Sequence, residues 1–438
     1  MSSIHPQIFG PESPVPFQAE ESGPRSLTDS SNIITSFNEF VINMRYSFGF
    51  AALAAVAVAA PTETEKNVSP RANAAACSTA VKIAAGSNIF SSRTLHANSA
   101  YASEISTAMA SVTDDTIKAQ GSKVAATGSF LWIDTISRVP IVATMLAETP
   151  CTDVLGLVIY DLPGRDCAAK ASNGELKTGE LSRYKAEYID PIVAAIKAAP
   201  NVAVALLIEP DSLPNLVTNA NLTTCSSAKS DYESGVAYAL KNLNLPNVAM
   251  YIDAGHGGWL GWDANLQPGS DGITKVYKAA GSPKQVMGFA TNTAGWNAWT
   301  QTPGEFSTAT DAKYNKCQDE KRYVNAFAPL LKKGGMPNHA IVDTGRNAVT
   351  GLRKAWGDWC NVNGAGFGVR PTATTGDPLV DAFVWVKPGG ESDGTSDTTA
   401  NRYDSFCGHD DAFKPAPEAG QWNEAYFEML LKNAVPQF

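Results

Sequence analysis

Histidine and clustered basic residues are scarce in this chain. Its 438 residues include five histidines, and 34 Lys and Arg are outnumbered by 43 Asp and Glu, which gives a formal net charge of −9. Phosphate binding requires clustered Lys and Arg, and no such tract or stacked-aromatic RNA motif is present, so nucleic acid is excluded as a partner. No Cys-x-x-Cys spacing and no His-Glu-x-x-His segment occur. The usual zinc sites are therefore excluded, and we expect no metal and no cofactor.

A long apolar run of the kind that spans a membrane is also missing. Met44–Ala60 has one basic residue, a short apolar core and an Ala-x-Ala ending, which is typical of a secretory signal peptide. Its core is too short to cross a bilayer comfortably, so we predict a secreted, extracellular protein without membrane contact. We interpret residues 1–43 as a non-native or disordered extension, 61–84 as a short leader and 85–438 as a single catalytic domain. Seven cysteines fit disulfides in an exported protein and leave one over.

Seven apolar segments of strand length recur along the chain, and most of them end in polar or ionisable residues. Near-continuous apolar character is typical of strands covered on both faces, as in a parallel sheet. The segments are Phe130–Thr135, Leu155–Asp161, Val202–Asp211, Val248–His256, Val286–Asn292, Ala340–Arg346 and Ala382–Pro388.

Helical patterns lie between these segments. The stretch 184–197 places Tyr184, Tyr188 and Ile192 on one side, and 231–243 is a similar candidate. Repeated strand–loop–helix units with polar residues at the strand ends favour a closed or nearly closed α/β barrel, with the active site at the C-terminal ends of the strands. An open doubly wound sheet is the alternative, but no Gly-x-Gly-x-x-Gly follows the first strand.

Two of the strand ends carry paired acids, which indicates acid/base chemistry. Asp161 and Asp166 follow one strand, and Glu209 and Asp211 follow the next. A like charge raises the proton affinity of one member of a carboxylate pair, so Asp211 beside Asp166 is the first candidate for a general acid. Glu209 is a second candidate, and helix capping is the structural alternative for Asp211.

Tryptophans near strand ends and in the following loops suggest what the acid acts on. Flat rings beside amides and carboxylates suit sugars, which have CH-lined faces and hydroxyl-lined rims. Glycoside cleavage needs a protonated carboxyl and a second carboxylate, so this inventory predicts a glycosidase. The set comprises Trp132, Trp259, Trp262, Trp296, Trp299, Trp356 and Trp359.

Two other chemistries remain open from the residues alone. Lys387 at the end of the last strand could form a Schiff base, which requires a neutral amine. Asp253 and His256 could bind a metal, but no third ligand is spaced nearby, and such a pair is more often simply hydrogen-bonded.

Five long segments together resemble glycoside hydrolase family 6. The resemblance runs in order from about residue 85 to 438, and its length makes it specific. The segments are Tyr160–Gly174, Leu207–Asn219, Tyr251–Trp262, Trp356–Asn361 and Trp385–Asp397.

The resemblance implies a fungal-type cellobiohydrolase II on a distorted, TIM-like seven-stranded barrel, which would cut β-1,4-glucan in cellulose and cello-oligosaccharides with inversion. It matches Asp211 to the general acid and Asp166 to the carboxylate that keeps this acid protonated. It also matches Tyr160 to the tyrosine that distorts the sugar and Asp393 to the candidate base, with a water relay near Ser172 as the alternative. The substrate-binding positions we assign are Trp132, Trp259, Trp359, Lys387, Glu391, His256, Asp253, Arg165 and Asn297.

The same resemblance implies disulfides between Cys167 and Cys225 and between Cys360 and Cys407. Cys77, Cys151 and Cys317 have no counterpart, and at least one should be free or intermolecular. We see no cellulose-binding module and expect a monomer.

Long loops at 165–181 and 388–422 favour a roofed tunnel that releases cellobiose from non-reducing ends. An endoglucanase and a catalytically silent glucan-binding protein are the alternatives.

Overall fold

The computed structural model of the chain describes residues 78–438, which fall in one compact unit. The predicted extension at 1–43 and the signal peptide at 44–60 lie outside the described residues, as do Cys77 and most of the predicted leader.

Each of the seven predicted strand segments overlaps a strand, with three strands beginning one or two residues earlier than predicted, and one short strand precedes them. The apolar runs form strands because their side chains are covered on both faces, so that β4, β5 and β6 are buried at every position. The strands are β1 Thr94–Leu95, β2 Leu131–Ile133, β3 Asp153–Ile159, β4 Ala203–Ile208, β5 Val248–Asp253, β6 Val286–Thr291, β7 His339–Asp343 and β8 Val380–Val384.

The strands form one parallel sheet that is nearly closed into a barrel. Pairing follows chain order from β3 to β8, and β1 and β2 both pair with β3. The two ends of the sheet meet where the Phe130 N–H donates to the Trp385 carbonyl at 2.9 Å, next to β2 and β8. A doubly wound sheet would reverse its strand order at a switch point, and this sheet does not, so the barrel prediction is confirmed.

Helices follow the strands and cover the outside of the sheet. No helix within residues 78–438 has both the length and the apolar character needed to cross a bilayer. The α-helices are α1 Ser99–Met109, α2 Asp115–Ala125, α3 Ile141–Glu148, α4 Leu181–Arg183, α5 Asp190–Ala198, α6 Ser212–Thr218, α7 Thr223–Asn242, α8 Leu266–Ala279, α9 Glu320–Lys333 and α10 Glu424–Lys432.

The predicted helix at 184–197 contains an irregularity that serves the site. Tyr184–Ile189 is π-helical and joins α4 to α5, and the side chains of Tyr184 and Tyr188 are fully buried. The Tyr184 hydroxyl donates to Glu209 Oε1 at 2.7 Å, and the Tyr188 hydroxyl accepts from the Tyr160 N–H at 2.8 Å. Wide π turns often occur at functional sites, and this one brings two phenols beneath the ends of β3 and β4.

Side chains fill the barrel interior. Val158, Leu207, Tyr251, Ile341 and Val384 belong to one buried cluster, distinct from the larger cluster between sheet and helices. Because the interior is packed, a substrate can be bound only at a rim, and the ionisable residues lie at the C-terminal rim.

Candidate active site

The loops after the strands contain several residues in an unusual backbone conformation. Asp166, Glu209, Asp211 and Asn292 have φ values of 53°, 49°, 64° and 59°, in the left-handed region that L side chains rarely adopt. Such strain persists only where the surrounding structure holds it, and it concentrates at functional sites. Three of the four residues are the acids that the sequence singled out.

Asp211 stands where its carboxyl group can reach a ligand. It precedes α6 at the N-cap position, but its side chain makes no capping hydrogen bond, so the capping interpretation is wrong. Its backbone N–H donates to Asp253 Oδ2 at 3.1 Å, and its side chain is only half-buried. Burial raises the pKa of Asp211 well above its usual range, and the charges of Asp166 and Asp253 raise it further. The group can therefore hold a proton and deliver it into the cleft.

Glu209 holds a proton as well but cannot deliver it. Burial raises its pKa to about 8, yet the residue is 1% exposed and accepts a hydrogen bond from the Tyr184 hydroxyl. Its neighbour Asp161 is fully buried, with a pKa that burial raises to about 8. Accessibility thus separates the two candidate acids in favour of Asp211.

Asp166 is the carboxylate that faces Asp211. It is 5% exposed and accepts a short hydrogen bond from the Tyr160 hydroxyl. Burial raises its pKa, whereas Arg165 and hydrogen bonds from Ser172 and Tyr160 act in the opposite direction. These partners favour the charged form of Asp166, and that charge in turn favours the protonated form of Asp211.

Arg165 packs against Tyr160, the residue that donates to Asp166. Its guanidinium lies 4.2 Å from the centre of the Tyr160 ring and donates to the Tyr160 carbonyl at 2.6 Å. It also donates to the carbonyls of Ser172 and Asp134 at 2.9 and 2.7 Å, and the residue is 7% exposed. Arg165 therefore stabilises the Asp166 loop, because its donors are engaged by protein carbonyls.

Asp393 is bound through both of its carboxylate oxygens. Arg346 donates to both of its oxygens at 2.9 Å, the Asn361 N–H donates to Oδ2 at 2.9 Å, and Lys387 Nζ lies 3.9 Å away. Arg346 is 1% exposed and stacks 3.9 Å above the Trp296 ring. Both carboxylate oxygens of Asp393 are thus already engaged by protein donors. Sequence reasoning did not assign Arg346, although it lies just beyond the end of β7, the position that identified the acids.

Lys387 and Glu391 follow β8, and Glu391 lines a cavity with Trp132. Lys387 Nζ lies 3.7 Å from Glu391 and 3.9 Å from Asp393 and donates to the Ser392 carbonyl at 3.3 Å, so the amine is engaged by protein groups and the Schiff-base interpretation is not supported. Burial raises the pKa of Glu391 to about 7. Trp132 and Glu391 line a cavity of about 60 Å³ together with Tyr101 and Glu104.

The rim beyond Asp211 carries Asp253, His256 and Asn297. Asp253 and His256 lie at the end of β5, and Asn297 follows β6, whereas Asp166 follows β3 on the other side of Asp211. Asp253 is 1% exposed, and burial raises its pKa to about 6. Asn297 is 5% exposed, with its amide engaged by protein groups, including His256 Nδ1 at 3.1 Å.

Within residues 78–438, the only acid and histidine cluster close enough to share an ion is Asp358, His409 and Asp411. The metal interpretation of Asp253 and His256 is therefore not supported.

The predicted stacking platforms are all partly exposed. The Trp132 indole donates to the Val386 carbonyl at 2.8 Å, and the Trp259 indole donates to Thr218 at 2.7 Å, so each ring is fixed by its edge. Trp359 is half-buried beside Phe406. Trp296 is only 4% exposed and belongs to the core.

Ser392 has the sequence context of a serine nucleophile but not its environment. Gly390–Gly394 matches the spacing Gly-x-Ser-x-Gly. Ser392 is fully buried, and its hydroxyl lies within hydrogen-bond distance of Asn361 and of the Gly394 and Pro417 carbonyls. It therefore cannot act as a nucleophile in the cleft.

Two disulfides fix the loops that carry Asp166 and Asp393. Cys167 is bonded to Cys225, and Cys360 is bonded to Cys407, as the resemblance implied. A Cβ at Gly394 would lie 2.6 Å from the Cys407 sulfur, so glycine lets the second disulfide pack directly beside Asp393. Cys151 is also disulfide-bonded, and Cys317 is a buried free thiol.

Replacing Cys360 and Cys407 by serine together should lower the free energy of unfolding. The bond joins residues 47 apart, and the chain entropy that it removes from the unfolded state corresponds to ~4 kcal/mol. Chemical denaturation of the double variant measures this change. An unchanged free energy of unfolding would mean that the disulfide contributes nothing to stability.

Comparisons with known proteins agree with this geometry. The family model described as glycosyl hydrolases family 6 matches residues 90–434. The chain is 63% identical over 386 residues to the 1,4-beta-D-glucan cellobiohydrolase CEL6C of Podospora anserina, covering 88% of this chain and 97% of the relative. It is 52% identical to the probable 1,4-beta-D-glucan cellobiohydrolase C of Aspergillus fumigatus, covering 80% and 79%.

Solved structures show the same fold. Cellobiohydrolase II (Cel6A) from Humicola insolens, in complex with glucose and cellotetraose, superimposes with a TM-score of 0.77 at 48% identity, covering 80% of this chain and 100% of that one. The catalytic core of Cel6A from Chaetomium thermophilum gives 0.76 at 50% identity, covering 80% and 99%. With the family model spanning most of the chain and a relative at 63% identity, this chain belongs to family 6 of the glycosyl hydrolases.

Proposed function

We propose that the chain is an inverting cellobiohydrolase that releases cellobiose from the non-reducing ends of cellulose chains. The observation that carries this proposal is the half-buried Asp211, whose pKa is raised by burial and by the carboxylates of Asp166 and Asp253. The relatives named cellobiohydrolase support the substrate class.

The proposed reaction begins with proton transfer from Asp211 to the glycosidic oxygen. Cleavage leaves positive charge on the sugar ring, and the anionic Asp166 nearby stabilises that charge. The Tyr160 ring packs edge-on against Trp132, with centroids 4.9 Å apart, and its hydroxyl is tied to Asp166. Tyr160 is thereby positioned to crowd a sugar that stacks on Trp132 and to favour its distortion.

The base in this proposal acts through water. Inversion requires a water molecule between base and sugar, which separates acid and base carboxyls by about 6.5–9.5 Å. Arg346 binds Asp393 through both oxygens, so we do not assign Asp393 as the direct base. Ser172 contacts Asp166 and is half-buried, so a water relay from Ser172 to Asp166 is the route that these contacts favour.

Contacts between two long loops support action from chain ends. Arg402 in the 388–422 loop donates to the Ala171 carbonyl in the 165–181 loop, and the Lys170 N–H donates to Asp404 Oδ2 at 2.9 Å. A Cβ at Gly394 would lie 2.8 Å from the Ala171 Cβ, so the loops pack closely beside Asp393. Loops that meet in this way can roof a cleft, so that a chain must enter by its end.

Replacing Arg402 by alanine should shift action toward the interior of cellulose chains. The change removes a donor that joins the two loops, together with the ion pair between Arg402 and Glu418 at 3.8 Å. We expect more viscosity loss of a soluble cellulose derivative per bond cleaved. Arg370→Ala is the matched control, because Arg370 also donates to backbone carbonyls but at residues 436 and 437. An equal viscosity loss per bond cleaved in both variants would contradict the proposal that the two loops cover the cleft.

The function itself is tested by the soluble products from amorphous cellulose, with viscosity followed in parallel. Predominant cellobiose with little viscosity loss is expected. Rapid viscosity loss with mixed longer products would favour the alternative of an endoglucanase. Binding to cellulose without any product would favour a silent glucan-binding protein.

We further propose that the protein is secreted and acts as a monomer, with residues 85–438 as its catalytic domain. The disulfides support an oxidising compartment, because such bonds are rare in the cytosol. Sugar binding in this account uses Trp132, Trp259, Trp359, Lys387, Glu391 and His256.

A further inference from the structure

His256 lies in a buried polar network that neither the acid nor the base of the reaction uses. The Gly258 N–H donates to its Nδ1 at 3.1 Å, and a Cβ at Gly258 would lie 2.6 Å from the Trp356 ring, so only glycine allows this approach. A nitrogen that accepts a hydrogen bond from a backbone N–H carries no proton. The neutral ring must therefore carry its proton on Nε2.

Asn297 donates to the same nitrogen, and its own orientation is fixed by two charged groups. Arg353 donates to Asn297 Oδ1 at 2.6 Å, and since a guanidinium has no acceptor, the atom it contacts must be the amide oxygen. Asn297 Nδ2 lies 2.6 Å from Glu320 Oε1 and 3.1 Å from His256 Nδ1. The two protons of the amide nitrogen are thus directed to Glu320 and to His256.

The charged groups around Asn297 are themselves locked in place. Arg353 forms a buried pair with Glu305 at 2.6 Å, with side chains 3% and 5% exposed. Glu320 is fully buried and also accepts from the Gly257 N–H at 2.9 Å and from Thr291. The network joins the loops after β5, β6 and β7 to the first turn of α9.

We propose that Asn297 is a positioning residue that, held by Arg353 and Glu320, fixes His256 as a neutral imidazole with its proton on Nε2, a permanent donor to a sugar hydroxyl. His256 Nε2 has no hydrogen-bond partner within residues 78–438, and the ring lies 6.1 Å from the Trp259 ring, a predicted sugar platform. Burial and the Arg353 charge lower the pKa of His256 to about 3, in agreement with a ring that stays neutral. Only the identity of the acceptor rests on the proposed function.

The test is a pH titration of the free protein labelled with ¹⁵N-histidine, observed by NMR. The chain has five histidines, and a His256→Gln variant identifies the signal. In the unmodified protein we expect His256 to remain the Nε2–H tautomer from pH 4 to pH 8. Titration of His256 within this range, or an Nδ1–H tautomer, would overturn the proposal. Neither result depends on what the enzyme cleaves.

Asn297→Asp replaces the amide donor that faces His256 with a carboxylate of nearly the same shape. An aspartate there places a carboxylate beside His256 and Glu320, with Arg353 already paired to Glu305. We expect the pKa of His256 to rise to or above the ordinary value of ~6.5. As the pH is raised through this value, the His256 signal should change from that of the imidazolium to that of the neutral ring.

Asn347→Asp is the matched control. Asn347 Nδ2 donates to the Asn297 carbonyl at 2.9 Å, so this change also introduces a buried acid next to Asn297 but leaves His256 Nδ1 untouched. The His256 signal should not titrate in the control. Titration in both variants, or in neither, would contradict the assignment of Asn297.

Discussion

Replacing Asp211 by asparagine should lower kcat on cello-oligosaccharides by about 10³-fold, which is the usual contribution of a positioned general acid. The amide is of similar size but cannot donate a proton to the leaving oxygen. The variant should retain much more of its rate on a cellobioside whose leaving group is a dinitrophenolate, because that group departs without protonation. Initial rates on the two substrates measure both effects.

Glu209→Gln is the control for this result. Glu209 shares the raised pKa and the left-handed backbone of Asp211 but is 1% exposed. Its rates on the two substrates should change by the same factor, since it does not protonate the leaving group. If instead the dinitrophenyl substrate selectively restored Glu209→Gln and not Asp211→Asn, the two acids would have been assigned in the wrong order.

Replacing Asp166 by asparagine should lower kcat by about 10²-fold and move the alkaline limb of the pH profile to lower pH. The negative charge of Asp166 opposes loss of the Asp211 proton and thereby raises the pKa of Asp211. Without that charge the pKa of Asp211 falls, so a smaller fraction of the acid is protonated near neutral pH. The active form is the protonated one, which sets the direction of the shift.

The measurement is kcat against pH for the unmodified enzyme and the variant. Arg165 is engaged by backbone carbonyls and does not depend on Asp166 for its position, so the loop should remain in place. An alkaline limb that stays in place or moves to higher pH would show that the Asp166 charge does not control the acid.

Much of the fold could be predicted from local patterns. The seven apolar segments each overlap a strand because side chains buried on both faces leave a continuous apolar run in the sequence. The two-residue strand Thr94–Leu95 escaped prediction because so short a run carries no periodicity. Likewise, the π-helical turn at Tyr184–Ile189 differs from an α-helix in backbone hydrogen bonds, not in the spacing of its buried side chains.

Site residues could be predicted where the residue type and its position after a strand imply a role. They could not be predicted where the role depends on hydrogen-bond partners that are distant in sequence. Asp211 and Asp166 follow strands and needed only that position. Arg165 and Asn297 were predicted as sugar contacts, but their polar atoms are engaged by protein groups that lie far away in sequence, such as Asp134 and Arg353. The Arg346–Asp393 pair, which occupies both oxygens of Asp393, joins residues 47 positions apart.

The most direct test of the account is the configuration of the first product. Proton NMR during hydrolysis of a soluble cello-oligosaccharide resolves the anomers of the newly formed reducing end before they equilibrate. An inverting reaction with Asp211 as acid predicts α-cellobiose as the first-formed anomer. β-Cellobiose as the first product would mean retention through a covalent intermediate and would contradict the proposed mechanism.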